Sequence, residues 1–106
     1  MDVKQSIINN VGVIALTATT VVMGRVYVDI GRWWLKDDDG EPLSVYAVHQ
    51  KIVGTANEVS RHTLTRARDG LLEKADVSNL KALARLCSEW SGKRITIDDL
   101  VVEEDT

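Results

Sequence analysis

Apolar positions recur every three or four residues in the second half of the chain, and the recurrences are punctuated by capping residues. Ser44 can cap a helix that offers Tyr46, Val48, Ile52 and Val53 for burial, and Gly54 can end it. Val59 follows as an apolar plug. Ser60 can cap a second helix, 61–69, closed by Gly70, on which Leu64 and Ala67 face inward. Asp76 or Ser78 can start another helix, where Leu80, Leu83, Ala84, Cys87 and Trp90 form a buried stripe with Leu86 beside it. Ser91 and Gly92 end it. Thr96 with Asp99 resembles a capping box and predicts a last short helix through Leu100 and Val101. Upstream, Val28, Ile30, Trp33, Trp34 and Leu35 predict a helix over Val26 to Lys36. The expected fold class is therefore all-α, with five helices.

Within residues 1–25, the segment Ser6 to Met23 is apolar and rich in β-branched side chains, and its pattern fits strand and helix equally. The uninterrupted run from Val11 to Met23 is shorter than the ~20 residues a membrane span needs. Asp2 cancels Lys4, which spoils the positive start of a signal peptide. The expectation is an extension with an apolar face, a candidate dimerisation element. Translation starting at Met23 is the alternative. The predicted organisation is an extension at 1–25, a helical domain at 26–102 and a poorly ordered acidic tail at 103–106.

Composition changes this picture little. Apolar residues make up 44% and charged residues 27% of 106, as in a soluble single domain. One cysteine, Cys87, excludes an internal disulfide and a cysteine-based zinc cluster, and the expected compartment is the cytoplasm. Charge matters more by position than by its sum of −3. Acid gathers at Asp37, Asp38, Asp39 and Glu41 and again at Asp98, Asp99, Glu103, Glu104 and Asp105. Three adjacent carboxylates lack the alternating spacing of a calcium loop, so the first group predicts a solvated turn. Between the two groups, Lys51, Arg61, Arg66 and Arg68 outnumber Glu58 and Asp69. The second helix thus carries Arg61, His62, Thr65, Arg66 and Arg68 on its outer face. Arginine and hydroxyl groups there can meet phosphates and base edges in a major groove.

The order of these pieces resembles the helix-turn-helix domains of the Cro and lambda-repressor type, the XRE-like family. The resemblance covers roughly Val26 to Val101. It is carried by V-S-R-H-T-L-T-R-A-R-D-G from Val59, D-V-S-N-L-K-A-L-A-R-L-C from Asp76 and I-T-I-D-D-L from Ile95. It implies five packed helices, with the third in the major groove. On that mapping Ser60, Arg61, His62, Thr63, Thr65 and Arg66 carry the DNA contacts, and Ser44 and Arg68 complete the expected contact set. The chain departs from the family pattern at the longer turn TANE (55–58), at Val45, at His49 and at Asp69.

The expected function is that of a sequence-specific DNA-binding transcription regulator, a repressor, acting as a homodimer on double-stranded DNA. The alternative is a protein-interaction module, an antitoxin or adaptor, on the same helices. No nucleophile–base pair, phosphate loop or metal spacing is readable, so no enzymatic activity, cofactor, metal or membrane partner is expected.

Overall fold

The computed structural model describes residues 24–104. They form strand β1 (Arg25–Val28), helices α1 (Val45–Ile52), α2 (Arg61–Arg68), α3 (Val77–Ser91) and α4 (Ile97–Leu100), and strand β2 (Val101–Glu104). The two strands pair antiparallel, from Arg25 opposite Glu104 to Val28 opposite Val101. The five-helix, all-α expectation is therefore wrong: the fold is mixed, four helices and a two-stranded sheet.

The error lies in Val26 to Lys36. Val26, Tyr27 and Val28 are β-branched and aromatic residues that suit a strand, and Val101 and Val102 supply the partner. Beyond them the Asp29 carboxylate accepts from the amide of Gly31 at 2.8 Å, which turns the chain into a single 3-10 turn, Gly31–Trp33. Trp34 is already extended, with φ −55° and ψ 135°. Residues 35–43 then fold back as a hairpin, with Leu43 N–H on the Leu35 carbonyl at 2.9 Å and a bridge between Lys36 and Pro42. Its tip is the acidic turn, where Asp37 accepts from the amides of Asp39 and Glu41 at 2.9 and 3.0 Å.

The four helices begin at the caps read from the sequence. Ser44, Ser60, Asp76 and Thr96 each accept from a backbone amide three residues on. Thr96 and Asp99 form the full reciprocal box. Three ends differ from expectation. Helix α2 stops at Arg68 rather than Asp69, and Gly70 closes it with φ +72° while Leu71 N–H reaches back to the Arg66 carbonyl at 2.8 Å. Val101 belongs to β2, not to the last helix. Glu103 and Glu104 are strand residues, not a loose tail, and Tyr27 donates its hydroxyl to Glu104 at 2.7 Å. The edges of the predicted 26–102 domain thus fall inside the two strands. The proposed dimerisation element, residues 1–23 in particular, lies outside the described residues.

One core joins these elements. Ile30, Val48, Leu64, Leu83, Leu86, Cys87 and Leu100 are fully buried. Trp34 sits beside them, its indole N–H on the Leu43 carbonyl at 2.7 Å and its ring 5.6 Å from that of Trp90 in an edge-on arrangement. Two residues expected inside are outside: Tyr46 is 59% and Val53 46% exposed. Among the described residues, no helix is long and apolar enough to cross a membrane.

Candidate nucleic-acid interface

Helix α2 is anchored from below. Leu64 and Ala67 have no exposed surface, and the Ala67 carbonyl accepts from the Ile30 amide at 2.9 Å. Burying a leucine side chain is worth about 2 kcal/mol, which holds the helix in one rotation about its axis. That rotation leaves Arg61 and His62 exposed at its N-terminus. Ser60 caps this end, accepting from Thr63 N–H at 3.1 Å and donating its hydroxyl to Thr63 Oγ1 at 3.0 Å. Thr65 donates back to the Arg61 carbonyl at 2.9 Å. Ser44 holds the start of α1 in the same way, accepting from Ala47 N–H at 3.0 Å.

The expected contact set divides in two. In its N-terminal half the Arg61 guanidinium bonds no acceptor among the described residues and stands 5.9 Å from the Tyr46 ring centre. In its C-terminal half the arginines serve the fold. Arg66 donates to the Leu71 carbonyl at 2.6 Å, pinning the exit of the helix. Arg68 forks onto both carboxylate oxygens of Asp69, at 2.8 and 3.3 Å, and lies 5.7 Å from the centre of the Trp34 ring. This pair accounts for the acid at the end of α2. The hydrogen bond from Arg68 holds the Asp69 carboxyl below its ordinary range, and Asp69 in turn raises Arg68. Asp69 is charged but spoken for, so it presents little net field to a phosphate.

The long turn between α1 and α2 is a built structure. Thr55 donates its hydroxyl to the Ile52 carbonyl at 2.6 Å, and Glu58 accepts from Gly54 N–H at 3.0 Å. Arg85, from α3, clamps the outside, with Nε on Asn57 Oδ1 at 2.6 Å and Nη2 on the Ala56 carbonyl at 3.3 Å. Val59 is buried beneath. Sequence reasoning missed Arg85 and Tyr46. Arg85 is 28 residues from its partner, a distance at which no local spacing signals a contact. Tyr46 was assigned to the core on periodicity alone. Of the other departures, Val45 packs against the core, and His49 is half-buried.

No family model, curated protein or solved structure matches this chain. What α2 can do is left to its own side chains. Arginine, imidazole and hydroxyl groups at a capped helix N-terminus can bind anions and hydrogen-bond acceptors. Cys87 offers nothing comparable, since burial pushes its thiol up to about 12 and removes it from solvent. Among the described residues, no group of three or more His, Cys, Asp or Glu is placed to hold a metal.

Proposed function

We propose that the domain is a sequence-specific binder of double-stranded DNA, a transcription regulator that represses by occupying its operator, with the N-terminal half of α2 in the major groove. The observation that carries this reading is the position of Arg61 and His62. Both are exposed at the leading end of a helix whose opposite face is locked into the core. A free arginine there can meet O6 and N7 of a guanine with two hydrogen bonds, worth ~1–3 kcal/mol of discrimination. His62 and the acceptor lone pairs of Ser60 and Thr63 are the next groups in reach of neighbouring bases or phosphates. Arg66 and Arg68 are better seen as supports, because their guanidinium groups already hold backbone and carboxylate.

The test is selection of bound duplexes from a random pool, followed by anisotropy titration of the winner. Arg61→Ala should weaken the selected site by about 10–100-fold while leaving random duplex nearly unaffected. Equal loss on both would mean phosphate contact without reading. No enrichment and no binding at low salt would sink the DNA reading.

One observation favours the second reading, a protein-interaction module. Tyr46 and His49 lie three residues apart on α1, Val53 follows as its C-cap, and both Tyr46 and Val53 are exposed. An apolar strip of this kind beside α2 suits a protein partner. If the duplex selection fails, this strip is the face on which to seek an adaptor or antitoxin contact.

A further inference from the structure

A groove of about 320 Å3 runs beside β1, its lining includes no residue of α2, and its apolar floor is Val28, Leu72, Ala75 and Leu80. Val26 stands at its mouth, 57% exposed although it lies within a strand. Val77, 64% exposed, is three residues before Leu80 on α3 and so extends the apolar surface on the same side.

Opposite charges flank the apolar strip. In the β1–β2 register Glu103 is the direct partner of Val26, so the two side chains project to one face. On the other side of β1, Val28 bridges Leu72, and two residues on from that bridge Lys74 comes up along the groove. Two strand spacings separate the backbone positions of Glu103 and Lys74, about 10 Å. The other charges nearby are already matched: Glu73, which also lines the groove, and Glu104 both pair with Arg25, and Tyr27 donates to Glu104. Among the described residues, neither Lys74 nor Glu103 has an ion-pair partner.

An apolar strip with a cation along one side and an anion along the other is complementary to itself after a half-turn. We infer that this groove seats a second copy of the chain, related by a two-fold axis, with Val26 packed against its own counterpart. Lys74 then faces the partner's Glu103, and Glu103 faces the partner's Lys74. An isologous contact of this type uses one patch twice, so the strip needs no complementary surface elsewhere on the domain. The inference stands apart from DNA binding, since it draws on no residue of α2.

Sedimentation velocity on the full chain, with the charges reversed one at a time, tests it. The wild-type chain should form a reversible dimer at or below about 100 µM. Lys74→Glu alone and Glu103→Lys alone each place like charges together twice and should weaken association by at least about tenfold. Mixing the two single variants should restore association, because every contact in the mixed dimer is again between opposite charges. That rescue requires two chains and correctly folded variants. A monomeric wild-type chain would overturn the inference and leave the groove to residues 1–23 or to another molecule. A dimer indifferent to both reversals would place the interface elsewhere. Rescue by the two changes in one chain, without rescue by mixing, would make the pair internal to the chain and would also overturn it.

Discussion

Arg61 and Arg66 are five residues apart on one short helix and are used for different ends. Arg66 holds the carbonyl of Leu71 just where α2 turns into the chain leading to the sheet. Arg61 bonds no acceptor among the described residues. Removing the first should therefore cost stability and removing the second should not. Arg66→Ala is expected to lower unfolding stability by about 1 kcal/mol, the usual worth of a hydrogen bond to a charged donor near the surface. Arg61→Ala should stay within about 0.5 kcal/mol of wild type in the same urea titration. Equal losses would mean that Arg61 has a structural partner after all. The sequence shows the two arginines on one face but not this difference, because the Leu71 carbonyl comes back toward Arg66 only after Gly70 has reversed the chain. The residues that could be read were those whose role is local, the caps Ser60 and Ser44 and the inward pair Leu64 and Ala67.

At the level of elements, α4 and β2 have no loop between them: Leu100 ends one and Val101 starts the other. The capping box at Thr96 therefore orients the strand as well as the helix. Thr96→Ala should cost about 1 kcal/mol. Its amide exchange should rise along Val101–Glu104 and in β1 more than in α2, because the sheet is the element hung on α4. Uniform acceleration across all helices would show instead that the whole domain unfolds as one unit. The same connection explains why β1 was misread as a helix. Its apolar residues allow either period, and what decides is a partner strand at the other end of the described chain. Helices announce themselves through neighbours three and four residues away, and the sequence marks all four among the described residues near their true starts. A two-stranded sheet between distant segments leaves only a short run of β-branched residues, and Val26 to Val28 is too short a run to outweigh the apolar stripe that follows it.

For the molecule as a whole, acid is the common theme, both as ornament and as structure. Asp37 shapes the hairpin tip, while Asp69, Asp76 and Asp99 each hold a fixed partner. All three of the latter titrate below the ordinary carboxylate range. The hydrogen bond from Arg68 is the main cause at Asp69, the backbone amide of Asn79 at Asp76, and that of Thr96 at Asp99. A carboxyl whose folded value is depressed binds its proton more readily when unfolded. Its contribution is complete above the ordinary value and is lost as the pH falls through the lower, folded one. The urea midpoint should thus be level from about pH 7 to about pH 5 and decline below about pH 4. Replacing Asp76 and Asp99 with asparagine should lower the plateau and flatten the acid decline. A decline that begins near pH 6 would show that these carboxyls are not its cause.

Arg25 lies opposite Glu104, so the described domain starts and finishes at the same place. Anything attached at Gly24 and anything attached after Glu104 leaves from adjacent strands, side by side. The domain can therefore be carried as a bead on a loop of a larger chain, inserted whole without stretching its host. By the same geometry a short linker could join the two ends, and the chain could be cut at the exposed tip between Asp38 and Asp39, changing the order of the elements while keeping every one of them.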